Sequence, residues 1–236
     1  MKSQSGATGE TNKPTPRYHL LEVMVFLSLI VPSLIISLFA TRQGTIGFGL
    51  LAASTMGRDL GFVALIVFFL WRNGENLRQV GLRRQRVWTE IGLGMLLFAP
   101  FFFAVRWLEH FFIDIGLSVP PESNPIAIPS PVLGEVLLGT VLVVVVAFSE
   151  ELIFRGYLIH RFQGAGASTV VAVVVSTAIF ALGHGYEGTA GLATVGIMGL
   201  IFALVYLWRG SLTTAMTLHF LQDFVVIVFL ALLHSR

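Results

Sequence analysis

The sequence contains no cysteine, which excludes disulfide bonds, thiolate metal sites and a cysteine nucleophile. It is also poor in charge: only 12% of its 236 residues are charged, whereas 55% are hydrophobic. The fifteen basic residues form no concentrated surface suited to a nucleic acid, so we expect no nucleic-acid partner. With a mean hydropathy of +0.83, this composition is that of an integral membrane protein, whose first partner is the lipid bilayer.

Long hydrophobic runs predict an all-α fold, a polytopic bundle of about seven transmembrane helices. The predicted spans are residues 20–40, 60–71, 87–108, 132–162, 169–184, 190–207 and 211–233. The second span is short, so it either borrows residues from before Arg58 or lies tilted behind other helices. Residues 44–57 are apolar and glycine-rich. They form either a re-entrant segment or an eighth span, which would reverse the side on which the N-terminus lies.

The distribution of basic residues predicts the orientation of the chain. Residues 72–86 carry five arginines and are therefore expected in the cytoplasm, either as an amphipathic segment on the membrane surface or as a basic loop. Residues 110–131 carry no lysine or arginine and are expected outside. We expect a cytoplasmic tail at residues 1–18 and a transmembrane domain at 19–236, with its motif-bearing core at 132–233. The small size and the lack of further domains favour the cell membrane of a prokaryote.

Two adjacent carboxylates and an arginine lie in the fourth predicted span. Glu150 and Glu151 follow an apolar run, and Arg155 comes four residues after Glu151. Ionisable residues at membrane depth are energetically costly, so they are candidates for a functional site. On a helix, Glu151 and Arg155 share a face and can form an ion pair, whereas Glu150 is rotated by about 100° and left free to act on a water. A buried salt bridge that only fixes helix packing is the alternative.

Two later spans contribute further ionisable groups. His184 lies near the end of the fifth span, one turn after Phe180, whose ring can pack beside the imidazole. His219 and Asp223 lie one turn apart in the seventh span. A rise of about 1.5 Å per residue places Glu150 and these three polar side chains at overlapping depths. Polar groups that three helices bring to one level are what a buried active site requires.

In chain order, these residues read Glu150-Glu151-x-x-x-Arg155, Phe180-x-x-x-His184 and His219-x-x-x-Asp223. The pattern resembles the three motifs of the CAAX protease and bacteriocin-processing family of intramembrane proteases, also called the type II CAAX prenyl endopeptidase family. Residues 77–84, Leu-Arg-Gln-Val-Gly-Leu-Arg-Arg, are also similar to a Gly-Leu-Arg-Arg element often found upstream in this family. Each motif alone is weak, but three motifs in order on separate hydrophobic helices form a specific match.

The resemblance implies an α-helical membrane endopeptidase whose active site opens to the cytoplasm. Its substrate would be a membrane-associated or lipidated peptide or protein. Carried over by position, Glu150 and His184 would activate the hydrolytic water, and His219 and Asp223 would stabilise the oxyanion. The supporting residues would be Glu151, Arg155 and Phe180.

The last motif position raises a chemical question, because an ionised Asp223 cannot donate a hydrogen bond to an oxyanion. The family has asparagine or aspartate here, and we expect Asp223 to orient His219 instead. A zinc site is the alternative mechanism, with Glu150, His184, His219 and Asp223 as its ligands. The sequence has no His-Glu-x-x-His motif. The resemblance implies a metal-free glutamate mechanism, so no cofactor is favoured.

Two other functions are compatible with the same residues. A non-catalytic membrane scaffold or an immunity protein could keep the motifs for structure alone. A proton-coupled transporter could use intramembrane Glu, His and Asp as a proton relay. Transporters of that kind are commonly built from repeated halves, whereas here the polar residues cluster in the C-terminal half. The sequence therefore favours an intramembrane protease over both.

Overall fold

The structure is a computed structural model that describes residues 15–39, 47–119, 129–229 and 232, with side chains described in all of these except 32–39. Over these residues it is helical, without strands. Its seven helices are α1 (Pro16–Phe39), α2 (Phe48–Arg72), α3 (Val87–Asp114), α4 (Leu133–Gly164), α5 (Thr169–Leu182), α6 (Gly188–Arg209) and α7 (Thr213–Phe229). Helices α2, α3, α4 and α6 are long and apolar enough to cross a membrane, and α5 and α7 are shorter apolar helices. The predicted helical membrane bundle is confirmed.

Helix α2 decides between the two interpretations of the second crossing. It begins at Phe48 and continues through Arg58 to Arg72, so the crossing does borrow residues from before Arg58. The described part of the apolar stretch 44–57 is therefore the first half of α2, and neither a re-entrant segment nor an eighth span. Several predicted features lie outside the described residues, namely residues 1–14 of the tail, 40–46, 120–128 of the outside loop, and 230–231 and 233–236 at the C-terminus.

Helix α4 is the centre of the bundle. It packs against α2, α5 and α7, and its last turns also contact α1. Every residue from Glu151 to Leu158 is buried, although this stretch includes two charged side chains. The largest apolar cluster forms around it and includes Phe26 of α1 and Ile66 of α2, both fully buried. The motif that carries the two glutamates is therefore enclosed by its neighbours instead of facing lipid.

The basic stretch between α2 and α3 is a loop of turns, not an amphipathic helix. Val80 is fully buried beneath it, and the carbonyl of Gly81 accepts a hydrogen bond of 3.0 Å from the backbone N–H of Leu212. Gly81 has a φ of +85°, and a Cβ there would lie 2.5 Å from the ring of Tyr206. A glycine is needed for both reasons. The local structure of this stretch is therefore that of a loop, and it is anchored to α6 and α7.

A buried charge network ties this loop to α1 and α4. Arg161 is fully buried and contacts Glu22 through Nε at 2.7 Å and Glu75 through Nη2 at 2.5 Å. Glu75 also receives a contact of 3.1 Å from His160. His19 is buried beside Arg161. Because each buried charge has an opposite charge beside it, the network can join three segments without leaving an isolated ion.

Replacing Glu75 should weaken this network in a pH-dependent way. Burial raises the pKa of the Glu75 carboxyl, but hydrogen bonds from His160 and Arg161 outweigh that effect and lower it to about 2. The carboxylate therefore adds stability above its ordinary pKa of 4.5, and this contribution is lost as the pH falls from 4.5 towards 2. We expect Glu75→Gln to cost about 1–2 kcal/mol at pH 7, after allowance for solvent screening. Thermal unfolding in detergent between pH 3 and pH 7 measures it.

The matched control is Glu109→Gln, because Glu109 pairs with Arg106 at an exposed site on α3. Exposed pairs contribute little, so this variant should unfold like the wild type at every pH. Equal unfolding temperatures for wild type and Glu75→Gln at pH 7 would contradict the stabilising role of the network.

Candidate active site

The middle of α4 is a π-helix, from Glu151 to Leu158. Such wider turns leave backbone groups without their usual partners and are frequent at functional sites. Here the carbonyl of Phe154 accepts a hydrogen bond of 2.5 Å from the hydroxyl of Ser176 on α5. The π-helical turn thereby fixes α5 against α4 at the depth of the two glutamates.

Glu151 and Arg155 form the ion pair that their spacing predicts. Arg155 Nη1 lies 2.8 Å from Glu151 Oε1, and both side chains are almost completely buried. The guanidinium also lies over the ring of Phe180, 4.1 Å from its centroid, and 5.4 Å from the centroid of Phe202. Cation–π contacts of this kind compensate for lost hydration. Phe180 thus packs against Arg155 as well as against His184, whose ring lies 4.8 Å away.

His219 is held between carboxylates on two helices. Its Nδ1 lies 2.9 Å from Glu151 Oε1, and its Nε2 lies 3.4 Å from Asp223 Oδ2 and 3.7 Å from Glu150 Oε2. The ring stacks on Phe202 with 5.2 Å between centroids. We expected Asp223 to orient His219, but the short contact is with Glu151. Asp223 faces the other ring nitrogen, the one directed at Glu150.

Glu150 is the carboxylate of the pair that remains free. Its side chain is 13% exposed, and among the described residues Oε2 has no hydrogen-bond partner. His184, His219 and Asp223 lie close enough for their charges to act on this carboxylate. As helix rotation predicts, Glu151 pairs with Arg155, whereas Glu150 points away from that pair and towards His219.

His184 lies just beyond the end of α5, in a turn that precedes the short 3₁₀ helix Gly185–Glu187. Its Nδ1 lies 3.0 Å from the carbonyl of Phe180, to which it donates. That bond places the proton of the neutral ring on Nδ1 and leaves Nε2 as an acceptor. The helix of the predicted span 169–184 thus ends two residues earlier, at Leu182.

Asp59 is a residue near the site that the sequence did not single out. It lies on α2 and is 2% exposed. Its Oδ1 accepts a hydrogen bond of 2.9 Å from Arg58, and its charge interacts with that of Glu150. The sequence feature that could have identified Asp59 is a carboxylate within an otherwise apolar helix. The predicted second span, residues 60–71, begins one residue after Asp59, so the prediction left Asp59 outside the membrane.

The four side chains proposed as alternative zinc ligands do not form a metal-binding group. Within the described parts of the chain, no three His, Asp or Glu side chains are arranged as a metal site requires. The Nδ1 of His219 faces Glu151 and the Nδ1 of His184 faces a backbone carbonyl, so Nε2 is the nitrogen of each ring that is left for another partner.

Two glycines of α6 allow a direct test of how tightly the site is packed. A Cβ added at Gly199 would lie 2.8 Å from Arg155 Nη2 and 2.8 Å from Phe180 Cδ1, whereas one at Gly196 would meet Ala181 at an ordinary 3.6 Å. We expect Gly199→Ala to lower the free energy of unfolding by about 1–3 kcal/mol through overpacking. Gly196→Ala, one turn earlier, should be neutral or stabilising by about 0.5–1 kcal/mol. Thermal unfolding of both variants checks this, and equal behaviour would contradict the described packing.

The comparison with protein families agrees with this geometry. A family model described as type II CAAX prenyl endopeptidase Rce1-like matches residues 132–225. Neither curated proteins nor solved structures give a match. The matched segment runs from the start of α4 into α7 and includes every side chain predicted for the site. Residues 132–225 are therefore similar in sequence to the Rce1-like type II CAAX prenyl endopeptidases, the family that the three motifs resemble.

Proposed function

We propose that this protein is an intramembrane endopeptidase that hydrolyses peptide bonds of membrane-associated or lipidated peptides with a water activated by Glu150 and His184. The observation that carries the proposal is the free carboxylate oxygen of Glu150, 3.7 Å from a histidine that a second glutamate holds in place. Peptide hydrolysis needs a base for the water, a donor for the leaving amine and stabilisation of the tetrahedral intermediate. In the cluster, Glu150 can serve as the base and then as the proton donor, and His219 can stabilise the intermediate.

In the proposed reaction, Glu150 accepts a proton from water as the water oxygen forms a bond to the peptide carbonyl carbon. The carbonyl π electrons move to its oxygen, and the N–H at Nε2 of His219 donates a hydrogen bond to that oxyanion. When the intermediate collapses, the C–N bond breaks and Glu150 returns the proton to the amine nitrogen. His184 accepts a hydrogen bond from the same water through Nε2 and positions it.

Asp223 has a different role in this scheme from the one its sequence position suggests. It lies 3.4 Å from the same nitrogen, Nε2, that faces Glu150. In the resting site this carboxylate is the nearby acceptor for the N–H at Nε2, and the oxyanion would take its place as acceptor during the reaction. Asp223 thus helps to keep a proton on Nε2, while Glu151 fixes the ring through Nδ1.

We place residues 73–86 on the cytoplasmic side, with the N-terminus also cytoplasmic, in the cell membrane of a prokaryote. The loop carries four arginines, and the positive-inside rule assigns such loops to the cytoplasm. The proposed site, which includes Glu150 near the start of the π-helix, would then be reached by substrate from that side.

The experiment is hydrolysis of a panel of peptides, free and prenylated, by the purified protein in detergent. We expect cleavage of at least one member, with a rate that a zinc chelator leaves unchanged. Loss of activity with the chelator and recovery with zinc would overturn the metal-free step. A folded preparation that cleaves none of the panel, and binds the peptides no better than a soluble protein does, would favour a non-catalytic scaffold instead.

A further inference from the structure

We infer that the loop between α2 and α3 forms a site for the headgroup of an anionic phospholipid. The loop encloses a cleft of about 400 Å³. The cleft is lined by Asn76, Arg78, Gln79, Arg83, Arg84 and Gln85. Every side chain in this set can donate hydrogen bonds, and none carries a negative charge. A cavity with only donors and cations in its lining suits a phosphate group.

The arginines of the cleft differ from most other arginines of the protein. Arg58, Arg72, Arg106, Arg155, Arg161 and Arg209 each pair with a carboxylate. Arg78, Arg83 and Arg84 are exposed and have no ion pair among the described residues. Three unpaired guanidinium groups around one cleft repel one another unless an anion lies between them. The planar guanidinium fork binds phosphate oxygens in pairs, which makes arginine the preferred residue for this ligand.

The amide side chains of the cleft hold their carbonyl ends within the loop. The Asn76 side-chain carbonyl accepts a hydrogen bond of 3.0 Å from the backbone N–H of Arg78. The Gln79 side-chain carbonyl accepts one of 2.8 Å from the backbone N–H of Asn76. Because both acceptor oxygens are bonded within the loop, the NH₂ group of each side chain is the end left for a ligand.

The cleft lies at the level of the lipid headgroups. Trp71 ends α2 on one side of the loop and is 75% exposed, and Trp88 begins α3 on the other side and is 84% exposed. Tryptophans that flank a span occupy the membrane–water interface. A phosphate drawn from the adjacent leaflet would therefore reach the cleft without leaving the depth at which phospholipid headgroups lie. This placement favours a lipid headgroup over a free anion.

The backbone of the loop is held in place, because residues beneath the cleft pack against the helices. Val80 is fully buried, and Gly156 of α4 leaves room for its carbonyl, which a Cβ at that position would approach to 2.6 Å. The Arg83 guanidinium lies against Gly210, at the C-terminal end of α6. A rigid site binds with a smaller loss of side-chain freedom. This inference does not depend on the proposed peptidase activity.

The test is native mass spectrometry of the whole protein in detergent, titrated with phosphatidylglycerol or phosphatidylcholine. The cleft variant is Arg78→Gln/Arg84→Gln, which keeps Arg83 because that residue lies against α6. The control is Arg17→Gln/Arg106→Gln, which removes two exposed arginines outside the cleft. We expect one phosphatidylglycerol to bind the wild type and the control equally, and the cleft variant about tenfold or more weakly. Phosphatidylcholine should show little dependence on either change.

Three outcomes would overturn the inference. The cleft variant could bind phosphatidylglycerol as tightly as the wild type, or the control could lose as much affinity as the cleft variant, which would indicate general surface charge. Inorganic phosphate could displace the lipid at a similar concentration, which would indicate a site for a free anion. If the double variant fails to fold, Arg84→Gln alone replaces it, because Arg84 is exposed, and it should still bind several-fold more weakly.

Discussion

Glu150→Gln is expected to lower the turnover of a cleaved peptide by about 10²–10⁴-fold, the usual contribution of a general base. The substitution keeps the size of the side chain and replaces a carboxylate that can accept a proton with a neutral amide that cannot. Because Oε2 has no hydrogen-bond partner among the described residues, the fold should not depend on it. We therefore expect the unfolding temperature and the affinity for peptide to stay close to those of the wild type. Cleavage rate, peptide binding and thermal unfolding in the same detergent measure all three.

The matched control for this prediction is Glu135→Gln, the same change on the same helix at the first turn of α4. The Glu135 carboxylate accepts a hydrogen bond from the backbone N–H of Ser130, far along the helix from the proposed site. Its turnover should match the wild type. If Glu150→Gln also retains full turnover, Glu150 is not the base and the proposed mechanism is wrong.

Glu151→Gln is expected to damage both stability and turnover, in contrast to its neighbour. It leaves the guanidinium of Arg155 buried without its counter-charge, and it removes the partner of His219 Nδ1. Breaking a buried ion pair by removing one member costs about 3–5 kcal/mol. The cation–π contacts of Arg155 with Phe180 would remain and offset part of that loss. The unfolding temperature, compared with that of Glu150→Gln, is the measurement.

A second variant separates the two effects of Glu151. In Glu151→Gln/Arg155→Met both charges of the buried pair are gone, so much of the lost stability should return. Turnover should stay low, because His219 still lacks the carboxylate that holds its ring. Equal unfolding temperatures for Glu150→Gln and Glu151→Gln would contradict the assignment of different roles to the two glutamates.

Much of the site could be predicted because helical spacing is a local property. Glu151 and Arg155 pair in the structure as their i, i+4 spacing indicates, and Glu150 is left unpaired as its rotation from Glu151 indicates. Ionisable residues at membrane depth are energetically costly, and here they lie at similar depths in three separate apolar runs. From this we could predict that the three helices meet. Neither argument needed the three-dimensional contacts.

The remaining features depend on contacts that are distant in sequence. The anchor of His219 is Glu151, 68 residues away, and not Asp223 on its own helix. No periodicity indicates the π-helical turn at residues 151–158, since it is stabilised in part by Ser176 from α5. Asp59 was missed for a related reason: α2 starts 12 residues before the span boundary that hydropathy suggested.

The measurement that tests the central claim most directly is a double-variant cycle on peptide turnover, with Glu150→Asp, His219→Gln and their combination. If the two side chains act together on one bond, their changes are coupled, and the combined variant should be more active than the product of the single effects predicts, by about 0.5–3 kcal/mol. Glu150 and His219 would not form one catalytic site if the losses of turnover in the two single variants multiplied to give the loss in the combined variant. The same conclusion would follow if either single variant kept the kcat/KM of the wild type.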